Sequence, residues 1–156
     1  MLDIELVPST AWGQNARTLL TSTQWDTLRF YVFALAGQKC QVCGGVGSKH
    51  AVEGHEVWRW DEQSATQYLD GIQALCSWCH RCKHWGMTSK QGLEAQAMRH
   101  LAAVNRWDPI QVIDHISDAK LAWRRRSAIT WTLDDAGIRA VLMTARQAKA
   151  SAKAAA

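Results

Sequence analysis

The run Leu75-Cys76-Ser77-Trp78-Cys79-His80-Arg81-Cys82-Lys83-His84 decides how the rest of the chain is read. A Cys-x-x-Cys pair is followed at once by two histidines four residues apart. If the segment after Cys79 is helical, His80 and His84 lie one turn apart on one face. A single ten-residue run can then close a structural zinc site and present ligands to a second metal. Upstream, Cys40-Gln41-Val42-Cys43-Gly44-Gly45 and Glu53-Gly54-His55-Glu56 look like the missing halves of those sites.

Zinc held by four thiolates is tetrahedral and closed, and two Cys-x-x-Cys turns bring four sulfurs together without strain. The expected set is Cys40, Cys43, Cys76 and Cys79 around a structural Zn2+. Cys79-His80-Arg81-Cys82 is also a Cys-x-x-Cys, so Cys82 competes with Cys76. Cys76 is preferred because it follows an apolar strand. A redox pair would need only one such motif. Two pairs among five cysteines fit metal binding in a reducing compartment better than a disulfide framework.

The bulk numbers allow one domain with a core, over residues 1–156. Hydrophobic content of 47% and charged content of 21% are ordinary for a globular protein. Nine tryptophans against two Phe and two Tyr are not. They are read first as core, including Trp58, Trp60, Trp78 and Trp85 around the metal motifs. A net charge of +4 permits a nucleic-acid partner without demanding one. No secretory signal is read at Met1–Leu6, and the apolar run Phe30–Ala36 is too short to span a membrane. A cytoplasmic protein with no membrane partner is expected.

Helical periodicity frames the motifs. Trp25, Leu28, Tyr31, Val32 and Leu35 predict a helix over about Gln24–Ala36, with Thr23 as N-cap, Asp26 in its first turn and Gly37 as stop. A short helix around Thr18–Leu20 precedes it. Val57 to Trp60 predicts a strand carrying His55 near its start, and Tyr68–Leu75 a second, with Gly71 marking a bulge or a close backbone approach. Leu93, Ala97, Leu101 and Val104 predict a helix over about Gly92–Arg106. Asp108-Pro109 starts another, running to about Ser127 on Ile110, Ile113, Ile116, Leu121 and Trp123. After a break at Trp131–Leu133, Asp134 or Asp135 caps a last helix through Ala148, beyond which the tail is expected to fray. The fold class is α+β, mostly helical: an N-terminal helical part (1–39), a central zinc module (40–86) and a C-terminal helical part (87–156).

Three histidines on these elements are more than surface decoration. His55, His80 and His84 on one metal would keep open positions for water and substrate, as a hydrolytic site requires. The segment Cys40–Gly86 resembles the zinc-containing HNH endonucleases, the ββα-metal (treble-clef) nucleases. The matching residues are Cys40-x-x-Cys43-Gly44, Glu53-Gly54-His55-Glu56 and Leu75-Cys76-x-x-Cys79-His80-x-x-x-His84. The resemblance implies two strands and a helix gripping one divalent cation (Mg2+, Mn2+, Ni2+ or Zn2+). It implies water activated against a phosphodiester and a cation stabilising the leaving 3′-oxygen. Carried over by position, His55, His80 and His84 are the metal ligands. Glu56 stands where the family has its general-base histidine, and Gly71 where it has its central Asn; Gln73 is the nearest substitute. An alternative frame makes His55 the base and puts Gly54 at the ligand position. The competing class is a zinc-stabilised module of the same shape that binds nucleic acid or protein without turnover.

The expected partner is nucleic acid, double-stranded DNA first. Arg59, Arg81 and Lys83 lie closest to the histidines and are the candidates to hold a scissile phosphate. Arg124-Arg125-Arg126 is the densest basic run and a candidate phosphate contact. Neighbours on a helix are about 100° apart, so the three cannot all face one way. The plainer reading is a solvated face with one arginine paired to Asp114 or Asp118.

Overall fold

A computed structural model describes residues 1–154. Its centre is an antiparallel hairpin of β1 (Glu53–Asp61) and β2 (Thr66–Leu75), with a two-residue β3 (Thr132–Leu133) parallel to β2 at the far edge. Helices dominate the rest: α1 (Ala16–Leu19), α2 (Ser22–Leu35), α3 (Ser77–Lys83), α4 (Trp85–Lys90), α5 (Glu94–Asn105), α6 (Pro109–Arg126) and α7 (Asp135–Ala154). The architecture is α+β and mostly helical. No described helix is long and apolar enough to cross a membrane.

Local chemistry explains most element ends. Asp108 Oδ1 accepts from Gln111 N at 2.9 Å while the Gln111 side chain caps back onto Asp108 N, with Pro109 at the first helical position. The same reciprocal pair, Thr21 with Gln24, starts α2. The cap therefore lies two residues before the expected Thr23, and Asp26 serves instead in an ion pair with Arg29 at 2.8 Å. Asp134 Oδ2 accepts from Gly137 N at 3.0 Å and starts α7, which continues past Ala148 to Ala154. The expected break at Trp131–Leu133 contains β3. Opposite Val57 and Trp58, β2 carries one extra residue, Asp70, beside Gly71. No atom lies within 4 Å of where a Gly71 Cβ would sit, so this glycine marks a bulge and not a close approach.

The hairpin packs against helices through two core clusters. In one, Trp25 and Leu28 of α2 and Ile138 and Ala145 of α7 pack with Leu69 of β2. In the other, α3, α5 and α6 gather Leu75, Ala97, Leu101, Val112 and Ile116 around the cysteines. The inward stripe of α6 is Val112 and Ile116; Ile110, Ile113 and Leu121, expected inside, are more than half exposed.

The N-terminal segment is not helical as far as Pro8. Leu2, Ile4 and Leu6 alternate with Asp3 and Glu5, a period-two pattern. The chain runs extended, with Leu2 and Ile4 buried in the core that contains the cysteines. Leu2 N–H donates to Asn105 Oδ1 at 2.7 Å and Asn105 Nδ2 returns a bond to Leu2 O at 2.7 Å. Glu5 N–H donates to Lys83 O at 3.0 Å. Seven residues with no regular secondary structure thus close one wall of the core. Leu2 is fully buried, so Leu2→Ala should cost about 2–4 kcal/mol in urea unfolding. Ile113→Ala, on the exposed side of α6, should cost under about 0.5 kcal/mol. Equal losses would contradict this placement of the strap.

Candidate metal centres

The turn Cys40–Gly45 and the start of α3 bring four sulfurs together. Gly44 N–H donates to Cys40 O at 2.8 Å and Cys40 N–H to Gly45 O at 2.8 Å, and Gly44 supplies the positive φ of 74° that closes the loop. Gln41 anchors this loop to β2, its N–H donating to Ala74 O at 2.9 Å. Cys76 is the N-cap of α3, its sulfur 3.5 Å from Cys79 N.

One ligand atom from each of Cys40, Cys43, Cys76 and Cys79 lies within 4.8 Å of the others, and Cys43 Sγ is 3.6 Å from Cys76 Sγ. Sulfurs about 2.3 Å from a tetrahedral zinc stand roughly 3.8 Å apart. The thiols are electrostatically frustrated. Cys40 is held down to about 4, first by the hydrogen bond from Cys79 against the cost of burial, then by the amides of Cys43 and Cys76. Cys79 is pushed far up, because it gives that hydrogen bond and is buried beside three more sulfurs. This is the charge problem that a divalent cation resolves, and the donor set can bind a metal such as zinc. Cys82, the competitor for Cys76, lies outside the group. Its thiol points at Ala97 O at 3.5 Å and burial raises it to about 12, so it is a core thiol. His100, which no sequence motif marks, sits with Nε2 3.2 Å from Cys79 Sγ.

The second cluster uses β1 and the other side of α3. His55 leaves β1 toward α3, His80 lies in the middle of α3, and His84 is its C-cap, with His84 N–H bonded to His80 O. One ring nitrogen of each lies within 4.8 Å of the others, and His55 Nδ1 is 3.3 Å from His84 Nε2. Nitrogens about 2.0 Å from a tetrahedral zinc would stand roughly 3.3 Å apart. Two of the three imidazoles are held from behind. Glu5 Oε2 accepts from His55 Nε2 at 2.9 Å, and Glu53 Oε2 accepts from His80 Nδ1 at 2.6 Å. Each carboxylate fixes a tautomer and leaves the opposite nitrogen, His55 Nδ1 and His80 Nε2, as a lone-pair donor. Desolvation and the charges of His80 and His55 push His84 down to about 3, and burial with the His55 charge lowers His80.

Glu5 went unrecognised in the sequence, and Glu56 was misplaced. Glu5 is buried enough to raise its pKa, but the His55 hydrogen bond and the His55 and Lys83 charges outweigh this and leave it low. Its Oε1 accepts from Lys83 Nζ at 2.5 Å, and Asp3 Oδ1 takes a second bond from Lys83 at 2.5 Å. Lys83 is therefore buried inside a salt-bridge triad and cannot reach a phosphate. Glu56 follows His55 on a strand and so leaves the opposite face. It accepts from Ala16 N at 2.9 Å at the start of α1, and burial raises its pKa. Its carboxylate anchors the start of α1, while Glu56 also lines the cleft that the three histidines share. Gly54, the ligand position of the alternative frame, lies under α2, where a Cβ would be 3.3 Å from Arg29 Cβ. Gln73 is the register partner of His55 across the hairpin.

The basic residues scatter. Arg59 pairs with Asp70 at 3.2 Å and lies over the Tyr68 ring. Arg81 Nη1 donates to Gln91 Oε1 at 2.6 Å. Arg125 forks onto Glu62 at 3.0–3.2 Å, replacing the expected Asp114 or Asp118. Arg124 and Arg126 flank it and line different clefts, as their 100° spacing demands. Comparisons with protein-family models, with curated proteins and with solved structures find no match for this chain.

The sulfur cluster ties two segments together, the Cys40–Gly45 turn and the start of α3, and structural zinc sites supply roughly 10–16 kcal/mol. Cys43→Ser should lower the thermal midpoint by at least about 10 °C, whereas Cys82→Ala should lower it by under about 5 °C. The reverse order, read by circular dichroism, would mean that Cys82 belongs to the metal set.

Proposed function

We propose that this chain is a metal-dependent HNH-type endonuclease that hydrolyses phosphodiester bonds in nucleic acid, with DNA the expected substrate. Cys40, Cys43, Cys76 and Cys79 hold a structural zinc in this reading, and His55, His80 and His84 hold a second divalent cation. The observation that carries it is the convergence of three imidazoles, two of them locked from behind by carboxylates. Such an outer shell is the usual support of a working metal ligand and has little purpose for a structural histidine. The order of cysteine turn, hairpin and helix over residues 40–86 is the one that a treble-clef nuclease requires.

A divalent cation so held supplies a lowered pKa for water and neutralises charge on a phosphoryl oxygen. The chain's own contribution is positional. His55 comes from β1 and His80 and His84 from the α3 turn, so hairpin and helix must stay docked for the three to meet. Glu5 and Glu53 keep the imidazoles from rotating. The cluster lies in the wall of an 820 Å3 cleft that Arg17, Arg59 and Arg126 also line.

The position of Glu56 favours a second reading. With its carboxylate on Ala16 and Gly71 in place of the Asn, the family's base and its orienting partner are both missing. A module that binds without cutting would need neither. Zinc-loaded protein should nick supercoiled plasmid when Mg2+, Mn2+, Ni2+ or Zn2+ is added. His80→Ala should lose at least about 100-fold of this, and Glu56→Gln should stay within about threefold. Cleavage that survives in His80→Ala would remove the chemistry from this site, and no cleavage with any of the four cations would favour the binding module.

A further inference from the structure

Eight of the nine tryptophans are buried or half-buried, and most have a visible packing or hydrogen-bonding role. Trp60 packs edge-on against Trp131 at 4.8 Å, Trp123 Nε1 donates to Val7 O at 3.0 Å, and Trp85 is in the core. Trp12 is the exception at 73% exposure. It sits at the end of a 3-10 turn, Ser9–Ala11, before Gly13 with its φ of 86°. Its indole face is open for stacking.

Its location says which partner. Trp12 lines two clefts, the one described above and a second of 1130 Å3. The two meet at His80 and His84, which line both. The second cleft has apolar walls that include Trp123 and Met87, the latter 52% exposed. Its rim carries Arg81, Lys90, Lys120 and Arg124, none of which is ion-paired to a carboxylate among the described residues. Against these four cations the lining carries two carboxylates, Glu5 and Glu53. The charge left to attract a ligand is therefore positive.

We propose that this second cleft holds an unpaired nucleic-acid strand, with one base stacked on Trp12 and its phosphates on Lys120 and Arg124. The assignment rests on the phosphodiester reading and refines its substrate from intact duplex to a locally single-stranded segment. A cationic groove with an aromatic platform is how single strands are held without sequence readout. In a duplex each base face is covered by its neighbours, so the face of Trp12 has a partner only where a base is splayed out. The strand would pass from the cleft directly over the histidines.

Fluorescence anisotropy of labelled oligonucleotides of about twelve nucleotides tests this, using zinc-loaded protein without further divalent cation. The single strand should bind at least about tenfold more tightly than the same sequence as duplex, and should quench tryptophan emission. Trp12→Ala should lose roughly tenfold of the affinity and most of the quenching. Lys120→Glu with Arg124→Glu should weaken binding and reduce the slope against log salt by about 1.4. Circular dichroism confirms that each variant is folded. Duplex binding as tight as single-strand binding, or wild-type affinity in both variants, would overturn the proposal. Hydrolysis of bis(p-nitrophenyl) phosphate, which needs no strand cleft, reads the histidine site separately. Strand-selective binding without that hydrolysis sustains the cleft and removes the nuclease; hydrolysis without strand selectivity does the opposite.

Discussion

Four sulfurs drawn to one point constrain almost everything else in this molecule. Cys40 and Cys43 come from a loop pinned to the end of β2, and Cys76 and Cys79 from the first turn of the helix that follows β2. Their convergence sets the angle at which α3 leaves the hairpin. That angle carries His80 and His84 across β1 to His55. The cysteine and histidine clusters thus share one helix. The helix is only seven residues long, too short to hold this direction by its own propensity.

The N-terminal strap is the second constraint. Leu2 and Ile4 add to the core while Asp3 and Glu5 clamp Lys83, and Glu5 continues to His55. Lys83 immediately precedes His84, so the same ion-pair triad fixes the end of α3 where the third imidazole departs. Removing water from a lysine is costly unless carboxylates replace it, and here two do. Residues Asp3 to Val7 therefore belong to the site as much as to the fold.

Much of this was legible in the residues, and the failures have physical causes. The cysteine quartet, the histidine trio, the hairpin with its bulge at Gly71 and the Asp108-Pro109 start are local patterns, and local patterns survive folding. Thr21 displaced Thr23 as the α2 cap because Gln24 completes a reciprocal box with Thr21. Glu56 could have been excluded as a partner of His55 from the period of a strand alone, since adjacent residues face opposite ways. Glu5 had no such local sign of its target. Leu2, Ile4 and Leu6 announce an extended segment, but its docking partners are 50 and 78 residues away. His100 beside Cys79 is a tertiary contact of the same kind. On α6, packing selects Val112 and Ile116 as the inward stripe, and of the five apolar residues that mark the helix in the sequence only Ile116 is fully in that core.

The central claim is that one short helix serves two metal centres of different kinds. Metal content per chain, measured by mass spectrometry after exhaustive dialysis against buffer containing trace zinc, tests it most directly. The account predicts two equivalents in the wild-type chain and one in His80→Ala, with the remaining equivalent lost in Cys43→Ser. One equivalent in both the wild-type chain and His80→Ala would contradict it.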